Sequence, residues 1–243
     1  MTTAKLFLSF MIIALLSTSC LREVFCEEGE GDLLTETISI NEFNGIDLKE
    51  DGDVFITQGD EFKVVVTARE NILDRLETEV NGGIWDITLG RDCYQNLHLE
   101  VEITMPVLDE IHLSGSGKID VGDFLNQDNI DMSISGSGRI ELGSFSGTRD
   151  IDAKISGRGE ILPRAEFPDL ESMNINITGS GNFDGFKLIT NTLDAKISGS
   201  GDIFVTTEEE MDVTITGSGN LHYKGNPLID ASITGSGKII NEN

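Results

Sequence analysis

From residue 113 onward, hydrophobic residues fall on alternate positions in short runs. The runs are Ile130-Met132-Ile134, Ile151-Ala153-Ile155, Met173-Ile175-Ile177, Leu193-Ala195-Ile197, Met211-Val213-Ile215 and Ile229-Ala231-Ile233. Asp, Ser, Lys, Asn and Thr fill the places between them. A period of two predicts β-strands with one buried face. Each run ends in the same phrase: an aliphatic residue, Ser or Thr, Gly, a small residue, Gly, any residue, and a second hydrophobe. It reads LSGSGKI at Leu113, ISGSGRI at Ile134, ISGRGEI at Ile155, ITGSGNF at Ile177, ISGSGDI at Ile197, ITGSGNL at Ile215 and ITGSGKI at Ile233.

The first glycine of each phrase is Gly115, Gly136, Gly157, Gly179, Gly199, Gly217 and Gly235, in steps of 21, 21, 22, 20, 18 and 18 residues. A repeat near 20 residues means stacked supersecondary units. After the glycines a second short strand begins, with Ile119, Ile140, Ile161, Phe183, Ile203, Leu221 and Ile239 directed inward. Gly-x-Gly between the strands is then a sharp corner, where glycine lets neighbouring coils approach closely. Two short strands and a corner in about 20 residues make one coil of a parallel β-helix, an all-β solenoid. Seven coils at about 4.8 Å each would rise about 34 Å. A propeller blade needs twice this period, and the Leu-x-x-Leu-x-Leu frame of a leucine-rich repeat is missing.

Residues 41–105 repeat less regularly and are expected to be degenerate coils and a cap, with 106–243 the regular part of one domain spanning 41–243. Leu48-Lys49-Glu50-Asp51-Gly52-Asp53-Val54 keeps both hydrophobes and the second glycine of the phrase. Asn81-Gly82-Gly83 between Val80 and Ile84 predicts a hairpin turn, and Arg69 to Leu76 a helical turn or two. A solenoid must cover its open end, because bare strand edges invite association. At the other end Ile239 and Ile240 are followed only by Asn241-Glu242-Asn243, an uncovered surface on which another copy could dock.

The first residues add an address. Lys5, the apolar run Leu6 to Leu16 and Ser17-Thr18-Ser19 before Cys20 predict a lipoprotein signal peptide over 1–19, with Cys20 as the lipid anchor. The apolar run is too short to span a bilayer, which takes about 20 residues. The alternative is plain secretion with Cys20 as an ordinary thiol. Residues 20–40, acidic and glycine-containing, are expected to be a flexible tether. In an oxidising compartment Cys26 and Cys93 are free to pair, though the sequence does not show them close.

The formal charge is -26. Lys5 is the only charge before Arg22, so the chain beyond Cys20 is one unit more negative still. Such a surface repels nucleic acid and bare anionic membrane.

Phe43-Asn44-Gly45-Ile46-Asp47-Leu48, the turn and strand Gly52-Asp53-Val54, and the repeated ISGSGDI-type phrase resemble the bacterial autotransporter adhesin, head GIN domain family. The resemblance covers about residues 41–240. It implies a right-handed parallel β-helix on an exported protein, and an adhesive role only by analogy of fold. An autotransporter's C-terminal membrane barrel does not follow these repeats, and Cys20 supplies a different anchor.

Some β-helices cleave polysaccharides, so an enzyme is the rival reading. Asp120, Glu141, Asp184 and Asp202 recur at different offsets and predict no catalytic cluster. Three acidic residues gathered on one face would favour the rival. The residue after each glycine pair runs Lys118, Arg139, Glu160, Asn182, Asp202, Asn220, Lys238, an in-register column expected to neutralise its own charge. His98, His112 and His222 lie far apart and read as surface histidines. The glycine pairs precede no helix that would cradle phosphate. Trp85 is expected to pack in the cap rather than to bind sugar. No cofactor, metal or catalytic residue is predicted. The expected protein is a non-catalytic, lipid-anchored envelope protein, with a protein, a glycan or a second copy as partner. The alternative is a polysaccharide-binding or polysaccharide-degrading β-helix.

Overall fold

Close backbone approach at the glycine corners sets the architecture. In the computed structural model, which describes residues 26–90 and 93–243, each corner sits directly on the one before it. A Cβ added at Gly136 would lie 1.8 Å from the Gly115 carbonyl oxygen, and one at Gly157 2.0 Å from that of Gly136. Gly199, Gly217 and Gly235 also have positive φ, which any side chain would strain. With the corners stacked, the strands on either side fall into register without choice.

The result is a β-solenoid of about 6 turns with roughly 21 residues per turn. One ladder of parallel strands runs Glu110–Leu113, Ile130–Ile134, Asp150–Ile155 and Ser172–Gly179. It continues through the second halves of Asn182–Gly199 and Ile203–Gly217 to Leu228–Gly235. The other ladder runs Lys118–Val121, Arg139–Leu142, Glu160–Pro163, then the first halves of the two long strands, Asn220–Lys224 and Lys238–Asn241. The expected inner ladder is present: Ile134, Ile155, Ile177, Ile197 and Ile215 lie in register and buried. A third side is filled by Phe124, Phe145 and Phe167, stacked with centroids 5.3 and 5.1 Å apart.

The phrase at Leu48 is a degenerate coil, with Leu48 paired to Leu113 and Val54 to Ile119. Its neighbour on the far side is not the coil before it in sequence but a later one. Gly45–Leu48 lies between Glu110–Leu113 and Ile84–Ile87, and Gly52–Gln58 between Lys118–Val121 and Leu99–Met105. The intervening residues cover the end of the stack. Lys63–Arg69 pairs antiparallel with Leu99–Met105, and the one-turn helix Glu70–Leu73 follows it. Val80–Asn81 returns antiparallel to Ile84–Ile87 through Gly82-Gly83, both at positive φ as a two-residue hairpin requires. Trp85 is buried here, its indole N–H donating to the Glu77 carbonyl at 2.9 Å and its ring beside Phe43.

One expectation is corrected. Residues 33–38, assigned to the tether, form the strand Leu33–Ile38, antiparallel to Lys63–Arg69. Glu27–Glu28 pairs with Tyr94–Gln95 as well. The segment supplies a strand for the free edge of the cap, with Ile38 packed against the core, and that pairing outweighs the acidic composition. The signal peptide and Cys20 lie outside the described residues.

The corners predict an unequal response to methyl groups. Gly217→Ala places Cβ 2.3 Å from the Gly199 carbonyl at φ +128°, whereas Gly82 (φ +63°) has open space around it. We expect Gly217→Ala to cost about 3 kcal/mol or more and Gly82→Ala about 1 kcal/mol in denaturant unfolding.

Candidate interaction faces

The outward positions of the first ladder build a flat face from aligned columns, each step about 4.8 Å. One column runs Glu110, Asp131, Asp152, Asn174, Asp194, Asp212 and Asp230. Beside it, two residues on, stand His112, Ser133, Lys154, Asn176, Lys196, Thr214 and Ser232. On its other side are Asp150, Ser172, Thr192, Glu210 and Leu228. The first and third columns border a shallow groove of about 460 Å³ that Asp131, Asp150, Asp152, Asp194, Glu210 and Asp212 help to line.

Sequence reasoning missed this groove. It followed acidic residues after the corner, whereas these lie three or five residues before the Ile that opens each phrase. Carboxylates other than Asp120, Glu141, Asp184 and Asp202 thus gather on one face, the arrangement that favours the rival reading. In-register stacking puts one carboxylate per coil at the same place.

The column is partly self-compensated. Lys154 pairs with Asp152 at 2.8 Å and Lys196 with Asp194 at 3.2 Å, while the Asn174 amide donates to Asp152 at 2.9 Å. The hydrogen bond and charge of Asp152 raise the Lys154 pKa above its ordinary value. His112 bridges Ser133 at 2.6 Å and Glu110 at 3.1 Å. Asp131 is the exception. Partial desolvation, then the Asp152 carboxylate beside it, push its pKa above the usual carboxylate range.

The second ladder presents a neutralised face, in which Arg139–Glu160 pairs within the expected column and the other ion pairs reach residues beside it. Arg139 reaches Glu160 at 2.7 Å, and Lys118 and Arg164 reach Glu141 at 3.1 and 3.3 Å. Burial lowers the Lys118 pKa, but its hydrogen bonds to the Glu141 and Asp120 carboxylates outweigh it and raise the pKa above its ordinary value. Toward the far end this face becomes aromatic. Phe204 packs edge-on against Phe186 and face to face with His222, and the Lys224 ammonium sits 4.5 Å from the Phe186 ring centre. At the corners, the hydroxyls before the first glycines face outward: Ser135, Ser156 and Ser198 are exposed, and Ser114 donates to Asp47.

His98 is exposed in the cap, and His222 accompanies Glu242 at 2.8 Å, so the three histidines stay apart. Among the described residues, no group of three or more His, Cys, Asp or Glu is placed to hold a metal ion. Cys26 and Cys93 are joined by a disulfide, with Cα atoms 4.4 Å apart. The pairing of Glu27–Glu28 with Tyr94–Gln95 aligns the chain beside it.

Stacked coils with glycine corners and a strand-capped end place the chain among the parallel β-solenoids. The family model "Putative auto-transporter adhesin, head GIN domain" matches residues 42–227, and the chain belongs to that family. A putative adhesin from Bacteroides fragilis superposes with a TM-score of 0.78 at 23% identity, over 88% of this chain and 99% of that one. A putative lipid binding protein from Parabacteroides distasonis gives 0.71 at 25%, over 89% and 99%. A putative adhesin from Parabacteroides merdae gives 0.69 at 20%, over 89% and 98%. No curated protein matches the chain significantly.

The raised Asp131 pKa has a testable sign. A carboxyl whose folded pKa exceeds its unfolded one loses stability as pH rises through that interval, and the penalty is complete above it. We expect Asp131→Asn to raise the unfolding midpoint at pH 7, with the gain over wild type disappearing as pH falls below the carboxylate range.

Proposed function

We propose that the chain is an exported, lipid-anchored, non-catalytic protein of the cell envelope that presents its carboxylate-columned face to a partner at the cell surface. The observation that carries this reading is the in-register face itself. A rigid solenoid holds identical groups at a fixed spacing along several coils, a geometry suited to binding an extended surface or polymer rather than a single small molecule. Family membership and the fold shared with neighbours described as adhesins support it. The interior is filled by stacked Ile and Phe side chains, so a lipid ligand would have to lie outside the solenoid.

The test is protease treatment of intact cells, with the chain followed in the membrane fraction and Cys20→Ala as control. We expect the wild type to be membrane-bound and shaved by external protease, and Cys20→Ala to leave the membrane. A membrane-bound but protected chain overturns the surface role, and a wild type absent from membranes overturns the anchor.

The acidic groove favours a second reading, a surface that binds or cleaves polysaccharide. Glycoside cleavage uses a pair of carboxyl groups on one site, and Asp131 and Asp152 stand as in-register neighbours in the groove. Release of reducing ends from a glycan panel, abolished in Asp131→Asn, would establish that reading. Glycan binding without cleavage, retained in Asp131→Asn, keeps the non-catalytic one.

A further inference from the structure

The last coil differs from every other in what it leaves open. Leu228–Gly235 pairs along one edge with Ile203–Gly217, and Lys238–Asn241 with Asn220–Lys224; among the described residues no strand pairs with their other edges. All eight residues of Leu228–Gly235 are exposed. Leu228 is 79% exposed, and Ile229 and Ile233, members of the inner ladder, 40% and 43%. Natural sheets protect such edges with charge, proline or a covering segment. This chain does so at its opposite end, where Leu33–Ile38 and Val80–Asn81 run antiparallel across the stack.

We propose that the last coil is a self-docking surface: two copies of this chain join through antiparallel pairing of their Leu228–Gly235 strands. Charge identifies the occupant as a second copy. The whole chain carries -26, yet Leu228–Asn241 holds one acid, Asp230, and one base, Lys238. A copy approaching the carboxylate face meets repulsion; a copy approaching this end meets a neutral, apolar coil.

The sequence of the strand is also self-complementary. Pairing centred on Ala231 sets Ile229 opposite Ile233 of the second copy and Ala231 opposite Ala231, so the inner ladder continues across the junction. It sets Asp230 opposite a Ser232 hydroxyl and keeps the two Asp230 carboxylates apart. A slip of one residue would turn Asp230 inward, which fixes the register. Because the other end is capped, the contact is isologous and closes as a dimer rather than growing into a fibre.

The experiment uses the full chain carrying Cys20→Ala, followed by sedimentation equilibrium over a concentration series. We expect a monomer–dimer equilibrium that Ile233→Lys weakens at least about 100-fold, since two new cations face the junction. Unchanged circular dichroism would confirm that this exposed site still folds. We also expect Ala231→Cys to form a covalent dimer on mild oxidation, since directly opposed residues lie about 5 Å apart, and Thr214→Cys, on the flat face, to form none. A chain that stays monomeric throughout, or a dimer that survives Ile233→Lys and does not cross-link through Ala231→Cys, overturns the proposal. Neither result bears on membrane attachment or protease exposure, so failure here is distinct from failure of the surface reading.

Discussion

Backbone contact at the glycine corners is the constraint on which the rest of the solenoid depends. There a coil rests on the carbonyl oxygens of the coil below, at separations no Cβ would tolerate. Everything outward follows from that seat. With corners superposed, the Ile residues flanking them stack into one buried ladder, the polar residues between them into columns, and the alternate Phe residues of the third side into a ring stack. Burial of these side chains supplies the driving force, but the corners decide which side chains meet.

The same constraint produces the chemistry of the faces. A residue that recurs once per coil is displayed once per coil at an almost fixed spacing, so small compositional preferences become arrays. Aspartate at one strand position becomes a carboxylate column; alternating signs at another become a neutralised ribbon of ion pairs. Two faces, one acidic and one neutralised, therefore arise from one repeat. Asp131, near the regular repeats' beginning, shows the cost of the array, because its neighbour's charge and partial desolvation disfavour its ionised form.

Much of this was legible in the sequence, and the reason is periodicity. The coil length, both inner ladders, the corners, the degenerate coil at Leu48–Val54, the Gly82-Gly83 hairpin and the burial of Trp85 follow from local pattern alone. What was not legible depends on which distant segment lies alongside. Nothing in Ile84–Ile87 or Leu99–Met105 announces that these strands stack outside Gly45–Leu48 and Gly52–Gln58 rather than after them. Leu33–Ile38 looked like tether because its partner, Lys63–Arg69, is thirty residues away in an irregular region. The carboxylate column was present at a constant offset before each Ile. It becomes a face only when the coils stack in register, a long-range pairing that no single repeat displays.

The bond between Cys26 and Cys93 has a mechanical meaning. Tension applied through residues ahead of Cys26 enters the folded body at a covalent crosslink and passes directly to Cys93. The strand Leu33–Ile38, the inserted coil at residues 45–58 and the antiparallel cap all lie within the loop this bond closes, so they are bypassed by the pull and cannot be peeled away from the N-terminus. From Cys93 the force runs into Leu99–Met105, the outermost coil strand. That strand is held on both sides, by Gly52–Gln58 and by Lys63–Arg69, rather than on one. A stalk attached at this point would load a strand held on both edges first and leave the repeating coils beyond it unloaded until that clamp gives way.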